Sequence, residues 1–595
     1  MKVKLSNFLA DYLVSRGITD TFMVTGGGAM HLDDALGHQK DMHITFNHHE
    51  QACAIAAEGY ARASGKLPLV CVTSGPGGTN AITGLIGAWL DSVQMLVISG
   101  QVKRETTIVH SDVKLRQLGD QEFNIVDMVK PATKFAVYVD DPNLIKYYLD
   151  KAIYLATTGR FGPCWIDIPL DVQAAIIDTD ELKEFDPKEL EPEYPHYEGQ
   201  GYNELIEQLK KAKRPVIYAG EGIRFARCKN LLIKFAEKYN IPVVTCWNAR
   251  DLLYDEHPLF AGMPGTVGTR GGNFNVQNSD LLIVLGCRLN IRQISYNWTS
   301  FAKNAYIAMV DIDKNEMKKK TIKVSLPIHA DVKEFLEFAL KDDKNHFDFS
   351  SWAKHCHETN KKYSPVLPEY SKNNKPLNPY YFFGEMFKYF ADDELITMGN
   401  GSACVITQQC AYTKKDQVLF SNSGCASMGY GFPAAIGVCE AYKGHRVICV
   451  DGDGSFQMNL QEMQTVIFNN YNMKIIYLNN NGYSSIKQTQ TNLFKPPFIG
   501  IGDGYGLTMP DMSKVAPAYG FPYYRIDSID SIEPNMKKAL ASKGPAFIEV
   551  VVDDKQFFAP KLSSKVLPDG KMVSPEIDDM YPFLSKEEYE RNKKV

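Results

Sequence analysis

The stretch from Val447 to Tyr483, VICVDGDGSFQMNLQEMQTVIFNNYNMKIIYLNNNGY, restricts the fold of this chain more than any other. Arg446–Val450 and Met473–Leu478 are uninterrupted β-favouring runs, the pattern of strands buried on both faces of a parallel sheet. Between them Leu460, Met463, Val466 and Ile467 recur at helical spacing, with Ser455 placed as an N-cap. The unit reads as strand, glycine turn, helix, strand. A right-handed crossover brings both strand ends to one sheet edge, so Asp453 and Asn480 are expected as neighbours. Gly452 and Gly454 permit close backbone approach, and the N–H groups at the helix start favour phosphate. A carboxylate and an amide carbonyl are hard oxygen donors that, with a diphosphate, complete a Mg²⁺ shell. Gly-Asp-Gly and Asn-Asn-Gly are also good turn formers, so the residues alone leave two structural turns open.

The same alternation fills most of the 595 residues, a length that calls for two to four domains. Runs at Asp20–Val24, His43–Phe46, Leu67–Thr73 and Gln94–Ser99 alternate with helical patterns such as Gln51–Arg62 and Thr79–Leu90. The expected fold is α/β, with three doubly wound parallel-sheet domains at 1–178, 200–340 and 375–553 and a tail at 554–595 that could serve as a lid. The Pro- and acid-rich stretch 179–199 reads as a linker, and the polar stretch 341–374 as a second separator. A net charge of −5 leaves no basic footprint for nucleic acid. No apolar run approaches the ~20 residues of a membrane span, and no signal-peptide core is present, so a cytoplasmic protein is expected. The twelve Cys include no CxxC pair and fall mostly in apolar runs (Cys71, Cys287, Cys449), as reduced buried thiols do.

With 24 residues between Gly454 and Asn479, the opening motif resembles the thiamine-diphosphate-binding pattern. The resemblance extends through about residue 553 and is to the acetolactate synthase branch. It is carried by FNHHEQACAIAAEGYARASGK and VTSGPGGTNAITGLIGAWLDSVQMLVISGQV in the first domain, and by YAGEGI and LGCRLNIRQ in the second. It implies pyrimidine-binding, central and diphosphate-binding domains, with active sites between subunits of a homodimer or homotetramer. Asp453, Asn480 and the Gly482 carbonyl would hold Mg²⁺, with Gly452, Gly454 and Ser455 around the diphosphate. Gly401, Ser402 and Ala403 match the second phosphate loop, and Met428 the bulky residue under the bent cofactor. Glu50 matches the glutamate beside the pyrimidine ring, Gln121 lines the substrate pocket, and His49 beside Glu50 is a candidate proton relay. Arg160, Gly286, Arg288, Arg292 and Asp311 match flavin-contacting positions, which implies FAD as a structural group, although Asn290 replaces the usual acid. From the residues alone Glu50 is an acid at a helix start, Met428 a core filler, and His48 and His49 equally structural.

Two positions depart from acetolactate synthases. Asp120 stands where those enzymes place Phe, and Thr489 lies near the position of a missing Trp. The change makes the acceptor pocket larger and more polar. The variant NNNGYSSIKQTQ and the tail are similar to thiamine-diphosphate proteins of bacterial surface-polysaccharide pathways. That implies decarboxylation of a 2-oxo acid, pyruvate foremost, and transfer of the two-carbon unit to a nucleotide-linked keto-deoxysugar. Acetolactate synthase itself, a simple decarboxylase and a C–C hydrolase stay open. Lys561, Lys565 and Lys571 could meet a nucleotide diphosphate or form a solvated surface.

Overall fold

The computed structural model describes residues 1–566 and 571–593. Three parallel sheets make three α/β units, as the alternation of apolar runs and helical patterns requires. In the first, β1 (Asp20–Met23), β2 (His43–Phe46), β3 (Leu69–Val72), β4 (Met95–Gln101), β5 (Phe135–Tyr138) and β6 (Pro163–Pro169) lie in the order β2-β1-β3-β4-β6-β5. The central sheet comprises β7 (Pro215–Ala219), β8 (Val243–Thr245), β9 (Leu281–Leu285), β10 (Tyr306–Asp311) and β11 (Leu326–His329), ordered β8-β7-β9-β10-β11. The third has β12 (Leu395–Met398), β13 (Val418–Phe420), β14 (Val447–Gly452), β15 (Met473–Asn479), β16 (Tyr523–Ile526) and β17 (Ala546–Val551). Its order, β13-β12-β14-β15-β17-β16, repeats that of the first. In each sheet the winding reverses beside the first strand, which opens a crevice at the C-terminal strand ends where open α/β sheets take ligands.

The linker 179–199 carries only short 3₁₀ turns. The second separator is different: it contains the helix Ser350–Lys362, which buries Trp352, Ala353, Cys356 and Thr359 against the central domain. Its overall polarity concealed that narrow apolar stripe. Eleven of the twelve Cys are buried, and all are free. No helix among the described residues is long and apolar enough to cross a membrane.

Four helices bear on the site. α1 (Glu50–Ser64) and α2 (Pro76–Asp91) follow β2 and β3, while α3 (Gly401–Cys410) and α4 (Gly431–Ala441) follow β12 and β13. α1 packs along α4 and joins the first and third domains into one core. The approach is close because the contact is built of small residues: a Cβ on Gly59 would overlap the Ala434 backbone, and one on Gly437 the Ala56 carbonyl.

A buried ionic hub ties in the central domain. The fully enclosed Arg62 guanidinium donates to Glu58 (2.7 Å), Asp91 (2.8 Å) and Glu221 (2.6 Å). Asn248 and the Ser423 backbone N–H add bonds to Asp91, and Asn422 adds one to Glu58 (3.1 Å). Tyr430 also donates to Glu58, and Arg288 approaches Asp91 at 3.4 Å. Three carboxylates thus face two guanidiniums, and burial pushes Glu221 up to about 7 against the pull of Arg62.

Gly437→Ala is expected to force α1 and α4 apart at a cost of about 1–3 kcal/mol, read as a lower urea midpoint. For Glu221 the sign follows from proton counting. Between its ordinary value and about 7 the folded protein keeps a proton that the unfolded chain has released, so stability falls as pH rises through that window and levels off above it. Glu221→Gln is expected to flatten this slope, which is at most about 1.4 kcal/mol per pH unit, in urea unfolding from about pH 5 to about pH 8.

Candidate active site

β14 ends at Gly452, and α5 (Asp453–Phe456) begins at the next residue, so Asp453 sits at the sheet edge. Gly452 pairs in register with Leu478, which brings the turn after β15 alongside. Asp453 accepts from the backbone N–H groups of Gly454 (2.7 Å), Asn480 (3.1 Å) and Gly482 (2.9 Å). Burial nevertheless pushes its carboxyl up to about 7. Asn480 Oδ1 is buried with no hydrogen-bond partner among the described residues. Gly482, at φ +121°, leaves no room for a side chain, because a Cβ would overlap the Ile501 carbonyl. A desolvated carboxylate, an orphan carbonyl and a backbone oxygen make a donor set suited to a hard divalent cation. Among the described residues no cluster of three or more His, Cys, Asp or Glu competes as a metal centre.

These groups open into one cavity of about 820 Å³. Gly401, Ser402 and Ala403 form the first turn of α3 on its wall, where helix N–H groups lack intrahelical partners. Gly452 faces open space at its Cβ position, and Met428 lines the wall between these loops. The residues fit a metal diphosphate. Ser455 differs from expectation: it lies inside α5 rather than capping it, and its Oγ accepts from the Gly429 N–H (2.9 Å). The expected single helix is also broken, with a kink at Asn459 whose amide donates to the Gly429 carbonyl (2.8 Å). Ser455 and Asn459 together pin the loop that carries Met428. Tyr483, unnoticed in the sequence, packs its ring where any side chain on Gly454 would stand.

Arg160, Gly286, Arg288, Arg292 and Asp311 line the same cavity. They lie beside the ends of the central strands, together with Glu221, Cys246 and Asp331, so the cavity runs along the whole ligand-binding edge of that sheet. Asp311 is pushed up to about 6 by burial. Arg160 is partly committed, with Nη1 on Asp313 and Glu316 and Nε on Ser92. Its Nη2, and most of the Arg288 guanidinium, remain for a ligand, so an extended dinucleotide such as FAD fits.

Glu50, His49 and Gln121 lie elsewhere, at the C-terminal edge of the first sheet. Glu50 opens α1 and accepts from Asn80 Nδ2 of α2 (3.0 Å). His49 is the N-cap of α1, with Nδ1 accepting from the Gln51 N–H (3.1 Å). Gln121 adopts φ +57°, and its carbonyl occupies the space a Cβ on Gly75 would need. Glu122 holds this loop through the N–H groups of Leu118 and Gly119; Asp120 beside it is exposed. None of these residues lines the cavity that holds Asp453. Thr489 and Lys561 do line it; the side chain of Lys565 lies outside the described part, and Lys571 is exposed.

Three family models match the chain: the thiamine pyrophosphate enzyme N-terminal TPP binding domain over residues 3–127, the central domain over 202–338 and the C-terminal TPP binding domain over 398–550. Among curated relatives, the acetolactate synthase large subunit of Lactococcus lactis is 32% identical, with 94% of each chain covered. The probable acetolactate synthase large subunit of Methanococcus aeolicus is 32% identical over 94% of this chain and 92% of its own. Acetolactate synthase 2, chloroplastic, of Nicotiana tabacum is 33% identical over 94% and 84%.

Asp453→Asn keeps the shape of the metal clamp and removes its charge. It is expected to weaken Mg²⁺-dependent retention of thiamine diphosphate by at least about tenfold in equilibrium dialysis.

Proposed function

The chain belongs to the thiamine pyrophosphate enzymes, in their acetolactate synthase-like branch, and from that premise we propose that it decarboxylates a 2-oxo acid, pyruvate foremost, and joins the remaining acyl unit to an acceptor carbonyl. The observation that carries the reading is the desolvated Asp453 carboxyl beside the orphan Asn480 carbonyl, open to a cavity lined by the first turn of α3. Asp453, Asn480 and the Gly482 carbonyl hold Mg²⁺; the N–H groups of Gly401–Ala403 take phosphate oxygens; Met428 supports the ring system. Thiamine diphosphate supplies the electron sink for loss of CO₂. FAD, in this reading, fills the central-sheet edge as a structural group held by Arg160, Arg288 and Asp311, which leaves Arg292 to the acceptor.

Glu50, its carboxylate oriented by the Asn80 amide (3.0 Å), would hold and release a proton for the pyrimidine ring of the bound cofactor. Because Glu50 does not line the cavity of its own chain, it serves the cavity of a second copy, and the working unit is a homodimer or a pair of them. Gln121 would line the substrate pocket of the same shared site, and His49, whose Nδ1 caps α1, stands beside Glu50.

The acceptor in this proposal is a nucleotide-linked keto-deoxysugar. Its support is the small polar Thr489 on the wall of the cavity that Lys561 and Arg292 also line. The second reading, two pyruvates giving acetolactate, is favoured by the full-length similarity to acetolactate synthases.

Glu50→Gln is expected to slow pyruvate turnover by about 10²–10⁴-fold while thiamine diphosphate still binds. Mixing and reassembling Glu50→Gln with Asp453→Asn subunits tests the shared site. Hybrid dimers carry one intact site, so about a quarter of wild-type turnover is expected to return. No recovery after verified subunit exchange would place Glu50 and Asp453 in one chain's site.

A further inference from the structure

The tail borders the cavity at Phe558 and Lys561, and this stretch is a strap fixed at several points. The Ala559 N–H donates to the Tyr380 hydroxyl (2.7 Å), Gln409 donates to the Pro560 carbonyl (2.7 Å), and the Leu562 N–H bonds the Thr266 carbonyl (2.7 Å). Lys561 and Tyr581 exchange both backbone bonds, at 2.9 and 2.8 Å. Beyond them Arg270 and Asn273 hold the Met580 and Ile577 carbonyls. Lys487 of α6 (Ser484–Leu493) pairs with Asp554 at 2.6 Å, so the strap and the helix that bears Thr489 are joined. The Cα of Lys561 therefore has little freedom, and its residue lines the cavity with Phe558, Thr489 and Arg292.

The charges there are unbalanced. Neither Lys561 nor Arg292 has an ion pair or side-chain hydrogen bond among the described residues, although both line a cavity whose other arginines, Arg160 and Arg288, are paired with carboxylates. Burial, and then the charge of Arg292, hold the Lys561 ammonium below its usual value. Two like charges brought together at a partly desolvated wall repel each other unless an anion joins them. The Lys561 ammonium rests over the Phe558 ring, 5.8 Å from its centroid, a contact that holds it at the wall without neutralising its charge. Thr489 adds little bulk, and its hydroxyl donates to the Ser485 carbonyl (3.0 Å), which leaves the anion to the two cations.

We propose that Lys561, carried by the C-terminal strap beside Arg292, binds the anionic part of the carbonyl acceptor, a phosphate or diphosphate ester, and so sets which acceptors react. The inference rests on the acyl-transfer reading above and gives the tail a specificity role. The two cations match the charge of a diphosphate better than that of a single carboxylate. The acceptor carbonyl then extends from this anchor toward the metal clamp.

The test is calorimetric titration of cytidine, uridine, guanosine, thymidine and adenosine diphosphates into the full chain with thiamine diphosphate, Mg²⁺ and FAD present. Wild type, Lys561→Met and Lys561→Arg are compared after confirming equal thermal midpoints. At least one nucleotide is expected to bind wild type, at least about tenfold more weakly to Lys561→Met and within about threefold of wild type to Lys561→Arg. Equal binding by wild type and Lys561→Met would overturn the role of Lys561 while leaving a nucleotide-linked acceptor in place. If no nucleotide binds wild type, the nucleotide-linked acceptor falls, and acetolactate formation from pyruvate decides the rest. A raised acceptor KM in Lys561→Met, restored by Lys561→Arg, would keep Lys561 as an anion anchor for a carboxylate; an unchanged pyruvate dependence would overturn it.

Discussion

The placement of the three domains depends on one enclosed guanidinium. Arg62 lies on a helix of the first domain, but its partners include Glu221 from the central one, and its neighbours Glu58 and Asp91 are held by Asn422, Ser423 and Tyr430 from the third. A charge with no access to water is stable only when its donors are satisfied, so a displacement of any domain would leave Arg62 or a carboxylate unpaired. Removing one member of such a cluster costs far more than the cluster contributes over an apolar equivalent. The hub is therefore better understood as a registration device than as a source of net stability. Asp91, Glu221, Asn422 and Ser423 also line the cavity, so the residues that fix the domains form part of its wall.

Registration matters because every functional loop lies at the C-terminal edge of a parallel sheet. The third sheet carries the proposed metal and phosphate loops, and the central sheet supplies Arg288, Arg292 and Asp311, with Arg160 reaching in from the first domain. Both face one cavity. The first sheet has the strand order of the third, and its edge carries Glu50, Gly75 and Gln121 away from that cavity. Exposed apolar side chains occur beside this edge, including Phe46 and Val113, and beside the metal loop, including Ile486 and Phe494. A second copy that covers these surfaces would complete each site with the edge of its partner.

The sequence made the sheets legible because parallel strands buried on both faces are continuous apolar runs, and the crossover rule then fixed Asp453 beside Asn480 without any coordinates. The Pro- and acid-rich linker was visible for the same kind of reason. What stayed hidden depended on long-range contacts. The kink at Asn459 arises from a bond to Gly429, thirty residues earlier, and the same contact displaces Ser455 from its expected capping role. Tyr483 over Gly454 and Asn80 on Glu50 leave no periodic trace. The helix Ser350–Lys362 was hidden by its charged face, although Trp352, Cys356 and Thr359 carry its stripe. Of the arginines at flavin-matching positions, Arg160 of the first domain and Arg288 of the central one already have carboxylate partners, which no sequence pattern shows. Among the described residues the cavity-lining cations without an ion pair are Arg292 and Lys561, and only the fold brings them together.

We propose an enzyme whose donor chemistry would be set by the third domain together with Glu50 of a second copy, and whose acceptor would be chosen by Thr489, Lys561 and Arg292 on the cavity wall. Mass spectrometry of products from ¹³C-labelled pyruvate with thiamine diphosphate and Mg²⁺, with and without a panel of nucleotide-linked 4-keto-deoxysugars, tests that claim most directly. The account predicts release of labelled CO₂ and a labelled two-carbon gain on one sugar. Acetolactate as the sole product, whichever sugar is supplied, would contradict the assignment of the acceptor, and absence of pyruvate consumption would contradict the assignment of the donor.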